Sequence, residues 1–149
     1  MVVTTDWLID KSALMRVQLV SEADLWLNRL ERGLVRISTP TLLEVGHSAI
    51  SGVNWYNTVL GPPPSLCPLE PVTPQAERRA LEVQGMLARR GLHRAPSVAD
   101  LLIAAIAEVG QLTVLHVDKD FDLIAEITGQ PVERLQLLPK KKKQSLKLC

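Results

Sequence analysis

The sequence predicts an α/β domain built on a mostly parallel central sheet. Short apolar runs at Trp7–Asp10, Leu34–Ser38 and Leu112–Val117 have the length of buried strands. Helical patterns of ten to sixteen residues separate and follow them, so successive strands need crossover connections rather than hairpins. There is no internal repeat, and the only breaker-rich stretch is Gly61-Pro62-Pro63-Pro64, a surface loop within one fold.

Each element carries its own signal. Trp7–Asp10 is an apolar strand that ends in an acid, and Ser12–Val17 begins a short helix. Ser21 is placed to cap the next helix, with Glu22 and Asp24 in its first turn and Gly33 after its end. After strand Leu34–Ser38, Thr39-Pro40 opens a helix as cap and first residue, running to about Ile50. Asn54–Leu60 reads as a further helical turn or two, and Leu66–Glu70 as a short strand. Thr73-Pro74 repeats the cap-plus-proline start for a helix reaching Arg90 before Gly91. Ser97 caps a helix over Val98–Val109, which Gly110 stops. Strand Leu112–Val117 leads to helix Lys119–Thr128, ended by Gly129, and Glu133–Leu137 is a last strand.

Size and composition narrow the class. One domain suits 149 residues, and 46% hydrophobic content supplies a core without disulfide or zinc. Cys67 and Cys149 form no framework, and no CxxC or HxxxH spacing marks a zinc site. The start MVVTTDWLID has no basic n-region. The longest apolar run, LLIAAIA, is too short to cross a bilayer, so the expected setting is the cytoplasm. Net charge is +1, but five lysines fall in the last eleven residues. Without them, twelve basic residues face sixteen acidic, a body near −4. The domain is therefore taken as 1–138, with 139–149 a basic appended tail that reads as a solvated end rather than an RNA-binding arm.

Four acids stand out by context. In open α/β sheets, ligands bind beyond the carboxyl ends of the strands. Asp10 and Asp118 occupy such ends. The helix VADLLIAAIAEV is apolar on every side, so Asp100 in its first turn is either a cap partner of Ser97 or a functional carboxylate. Glu44 is the only charged residue in TLLEVGHSAI, where an ordinary exposed helix acid is the competing reading. The Glu44–His47 spacing also occurs in carboxylate di-iron bundles, but those need a second such helix, and none is present. Four converging carboxylates would raise one another's pKa and remain ionised together only around a divalent cation. Hard oxygen ligands select Mg²⁺ or Mn²⁺, the ions of phosphodiester hydrolysis. That resolves how an acidic body could act on a nucleic acid.

At these residues the sequence resembles the PIN-domain ribonucleases, specifically VapC-type toxins of type II toxin–antitoxin pairs. The matching stretches are Leu8-Ile9-Asp10-Lys11-Ser12-Ala13-Leu14, Thr39-Pro40-Thr41-Leu42-Leu43-Glu44-Val45, Ser97-Val98-Ala99-Asp100-Leu101-Leu102-Ile103-Ala104 and Leu115-His116-Val117-Asp118-Lys119-Asp120-Phe121. They follow the family's order and spacing over roughly Trp7 to Leu137.

The resemblance implies a three-layer α/β/α sandwich. It implies catalytic acids at Asp10, Glu44, Asp100 and Asp118, with metal on Asp10, Asp100 and Asp118. Ser12 matches the small hydroxyl residue near the first acid. His116 stands where the family often has Thr, Ser or Asn, and Asp120 is a second candidate for the fourth acid, its rival role being to cap the following helix. The implied activity is Mg²⁺- or Mn²⁺-dependent endonucleolytic cleavage of structured RNA, often a tRNA loop, by a homodimer that a VapB-like antitoxin inhibits. A non-catalytic RNA-binding or scaffolding module of the same fold would require a missing acid, and none is missing.

Lesser features have two readings each. Lys11, Arg89, Arg90 and Arg94 are candidate RNA contacts, although Arg89 and Arg90 also answer a helix C-terminal dipole. Trp26 reads as core. Leu14, Met15, Val17 and Leu19 are either core or the wall of a groove for an antitoxin helix.

Overall fold

In a computed structural model the described residues are 5–139. Five strands form one sheet, all pairs parallel, in the order β3-β2-β1-β4-β5. They are β1 Trp7–Ile9, β2 Val35–Ser38, β3 Leu69–Glu70, β4 Thr113–His116 and β5 Val132–Arg134. Among the described residues seven α-helices accompany them: α1 Lys11–Leu14, α2 Ala23–Glu31, α3 Thr39–His47, α4 Gly52–Trp55, α5 Pro74–Arg89, α6 Val98–Val109 and α7 Lys119–Thr128.

The central strands are mostly apolar because both faces of the sheet are covered. Alternate residues serve opposite cores. Trp7 and Ile9 join Val35, Ile37 and Leu115 in one cluster, with Leu14 of α1 and Trp26 and Leu30 of α2. Leu8 and Val114 join the other, with Val83 and Leu87 of α5, Ile103 and Ile106 of α6, and Phe121 and Ile124 of α7. This is the expected three-layer α/β/α sandwich. Trp26 is core, 4% exposed and edge-on to Trp7.

Several element ends differ from expectation, each for a local reason. Ser21 does not cap α2. Its amide bonds to the Gln136 carbonyl, and Val20 bridges Leu137, so Glu22 becomes the cap, without a side-chain bond. The same pairing diverts residues 135–137 from the sheet, and β5 ends at Arg134. Ser38, not Thr39, is the cap residue of α3, which stops at His47 because Ser51 starts α4 as a new cap. The stretch expected as a helix at 54–60 is α4 followed by a single π turn, Tyr56–Leu60. Leu66 lies in a 3₁₀ turn, which shortens β3 to two residues. The helix expected from Ser12 is α1 and then a 3₁₀ turn, Val17–Leu19. Gly129 ends α7 in the left-handed conformation, φ 74°, which favours glycine there.

The strand order places the site. The chain builds outward from β1 through β2 to β3, then returns to the other side of β1 for β4 and β5. The order therefore reverses between β1 and β4, the crevice where open α/β sheets bind ligands. Of the expected basic tail, residues 140–149 lie outside the described residues.

Candidate active site

Asp10 leaves β1 as the cap residue of α1. Its Oδ1 accepts from the Ala13 amide at 2.9 Å, and both carboxylate oxygens accept from Ser12 Oγ at 2.8 Å. Ser12 Oγ in turn accepts from the Val117 amide at 2.9 Å. One hydroxyl thus ties the ends of β1 and β4 together across the switch point. Asp118 leaves β4 as the cap of α7, and its Oδ1 accepts from the Asp120 amide at 2.9 Å. Asp118, rather than Asp120, is the cap.

Two helices bring the remaining acids. Asp100 forms a reciprocal capping box with Ser97: the Asp100 amide donates to Ser97 Oγ at 3.0 Å, and the Ser97 amide donates to Asp100 Oδ2 at 3.3 Å. The two readings of Asp100 are compatible, because this carboxylate also faces the others. Glu44 is half-buried on α3. Among the described residues, Asp100, Asp118 and Asp120 offer ligand oxygens that all lie within 4.8 Å of one another. Asp10 stands outside that tight group, held by Ser12 and Ala13.

The charges nevertheless act as one cluster with Asp118 at its centre. Burial pushes Asp10 up to about 6, and the Asp118 charge adds to the rise. Burial likewise pushes Asp100 up to about 6, with Asp118 and Glu44 adding to it. Glu44 is raised by burial and Asp118 against the pull of Lys11. Asp120 is raised by burial and Asp118, against Lys119. Buried Asp10 and Asp100 with half-buried Glu44, Asp118 and Asp120 offer hard oxygen donors only, a set that suits a divalent cation such as Mg²⁺ or Mn²⁺.

Of the candidate basic residues, Lys11 is the one shown at the cleft. Lys11 bonds Ser48 Oγ and lines a cleft of about 420 Å³ with Glu44, His47 and the apolar Leu43, Val98 and Leu102. Arg89 ends α5, Arg90 is its C-terminal cap residue, and both are exposed, as is Arg94 in the loop leading to α6. Among the described residues none of these three forms an ion pair. His116 is fully buried, its ring 5.4 Å from that of Phe121, so it meets no solvent in the cleft.

Two hydroxyls escaped the sequence reading. Ser38 and Thr41 are fully buried at the start of α3; Thr41 Oγ1 donates to the Ile9 carbonyl at 3.3 Å, fixing α3 against the residue before Asp10. Nothing in S-T-P-T distinguishes an inward hydroxyl from a cap. Ser12 allows a direct check. Ser12→Ala leaves the Val117 amide without its partner and frees Asp10, so stability should fall by about 1–3 kcal/mol, the cost of an unsatisfied part-buried donor. Thermal melts against wild type measure this, and an unchanged melt would show that water replaces the bridge.

The comparisons agree with this geometry. Residues 8–127 match the PIN domain family model, and the chain belongs to the PIN-domain family. Within that family it is similar to Ribonuclease VapC2 of Mycobacterium tuberculosis, 57% identical over 133 residues, covering 89% of this chain and 94% of the relative. It is also 42% identical to Ribonuclease VapC21 of the same species, over 87% of this chain and 94% of the relative. In fold it is similar to a chain of the DNA-bound VapBC complex of Salmonella typhimurium, with a TM-score of 0.69 at 20% identity over 88% of this chain and 98% of that one. A chain of VapBC-5 from Mycobacterium tuberculosis gives 0.62 at 22%, over 90% and 100%. No helix among the described residues is long and apolar enough to cross a membrane.

Proposed function

We propose that this chain is a ribonuclease toxin of the VapC type: a metal-dependent endoribonuclease that cuts structured RNA, tRNA foremost, and is inhibited by a VapB-like antitoxin. One observation carries the reading: Asp100, Asp118 and Asp120 gather their oxygens within 4.8 Å beside Asp10 and Glu44, at the crevice where strand order reverses. The high identity to Ribonuclease VapC2 supports the substrate class.

The cluster would hold Mg²⁺ or Mn²⁺ through Asp100 and Asp118, with Asp120 or Asp10 completing the set. A bound ion supplies an activated water and neutralises charge on the phosphate. The chain's own residues do the rest. Ser12 holds Asp10 and ties it to the Val117 amide at the end of β4. Glu44, raised in pKa by burial and lining the cleft, is placed to exchange a proton with a group bound there. Lys11, Arg89, Arg90 and Arg94 offer cations to the RNA backbone around an acidic centre.

Two surfaces fit the proposed partners. Met15 and Leu19 are 54% and 60% exposed and, with Leu14, line a groove of about 350 Å³, whereas Leu14 and Val17 are themselves core. This groove suits an apolar face of the antitoxin. Leu43, Ile50, Val53 and Tyr56 are exposed from α3 to the turn after α4 and offer apolar area for a homodimer.

The test is to map RNA 5′ ends after brief induction of wild type beside Asp10→Asn. New ends confined to one RNA class and to the wild type are expected. Identical maps for the two proteins would overturn the reading.

A further inference from the structure

The β4–α7 turn carries a side-chain relay behind the acids. The Asp118 amide donates to Nδ1 of His116 at 3.1 Å. A nitrogen that accepts carries no proton, so the neutral ring holds its proton on Nε2. That Nε2 is fully buried and has no hydrogen-bond partner among the described residues; Oδ1 of Asp122 lies 3.5 Å away. The other oxygen of Asp122 accepts from Nη2 of Arg134 at 2.6 Å. Sheet register sets this up, because Arg134 on β5 pairs directly with His116 on β4. Asp122 reaches back from the first turn of α7, and Phe121 packs against the imidazole.

We propose that His116 is a positioning residue, set in its Nε2–H form by the Asp118 amide on Nδ1 with the Arg134-bound Asp122 carboxylate facing Nε2, and that it fixes the backbone from which the Asp118 carboxylate projects. The proposal rests on the metal-centre reading above. It gives Asp122, whose carboxylate is turned to His116 and Arg134, an influence on the acids through the ring. The hydrogen bond matters because the Asp118 amide is otherwise an unmatched donor beside the charged cap. Partners that orient metal ligands in this manner typically change metal affinity by about 10–100-fold when removed.

Two variants separate positioning from packing. His116→Asn keeps an acceptor near the place of Nδ1, whereas His116→Leu keeps bulk and loses the acceptor. Mn²⁺ affinity of the full chain, measured by calorimetry, should weaken about tenfold or more in His116→Leu and stay within about threefold of wild type in His116→Asn. Equal losses in both, or none in either, would overturn the proposal. The wild-type protein gives an independent reading through long-range ¹H–¹⁵N imidazole spectra. They should show the His116 proton on Nε2, and should lose that pure form in Asp122→Leu. A proton on Nδ1 in the wild type would overturn the relay even if His116→Leu failed to fold. If wild type binds no Mn²⁺ at all, the metal reading fails, and the imidazole spectra still decide whether the relay exists.

Discussion

Asp118→Asn should reduce RNA cleavage by about 10³-fold or more. The reason is electrostatic. The Asp118 charge bears on Asp10, Glu44, Asp100 and Asp120 alike, and no other acid reaches all of them. Its carboxylate also belongs to the closest oxygen group, with Asp100 and Asp120. Metal-held charge at a reacting phosphate is worth several kcal/mol, and each 1.36 kcal/mol is about a factor of ten in rate. The fold should survive, because an asparagine oxygen still accepts from the Asp120 amide and α7 keeps its cap. Cleavage of a defined RNA with Mg²⁺, run beside Asp120→Asn and beside wild type in EDTA, measures this. Chelation should abolish wild-type cleavage. If Asp118→Asn retained activity within tenfold while Asp120→Asn lost it, the fourth acid would be Asp120 and Asp118 only a helix cap.

Much of this site was legible without coordinates, for a specific reason. β1 and β4 are buried on both faces, so their apolar runs are continuous and the acid that breaks each run is conspicuous. Asp100 and Glu44 stood out on helices with almost no other charge. What sequence could not give was anything set by pairing between distant segments. His116 and Arg134 are neighbours only through the β4–β5 register, and Asp122 looks like any surface acid of an amphipathic helix. Thr41 and Ser38 turn inward because α3 abuts the end of β1, which no local spacing encodes. Asp120 is different: two residues past Asp118, it is legible as a second candidate for the fourth acid, and it joins the tight oxygen group where α7 begins.

The second large effect is on stability, and its sign follows from the raised acids. Asp10 and Asp100 ionise near 3.8 when unfolded and at about 6 in the fold. An acid with a raised folded pKa favours its protonated form in the fold. It therefore costs nothing below pH 4, removes stability progressively between about pH 4 and 6, and removes the full amount above that. For Asp10, only 3% exposed, the rise to about 6 corresponds to about 3 kcal/mol. The metal-free protein should melt several degrees lower at pH 7 than at pH 5. Added Mg²⁺ should recover that loss at pH 7 and do little at pH 4.5, where the acids are largely protonated. Asp100→Asn removes one member of the cluster while keeping an acceptor for the Ser97 amide. In EDTA at pH 7 it should raise the melting temperature by about 5 °C, the scale of 1–2 kcal/mol for a chain of this size. Glu44→Gln should act in the same direction, by less, because Glu44 is only half-buried and Lys11 already offsets its charge. Both variants should be inactive toward RNA. Differential scanning calorimetry across pH 4.5–7.5, with and without Mg²⁺, decides the matter. A fall of several degrees in Asp100→Asn would mean that the capping box with Ser97 outweighs charge repulsion, and that the acids are not strained against one another when the metal is absent.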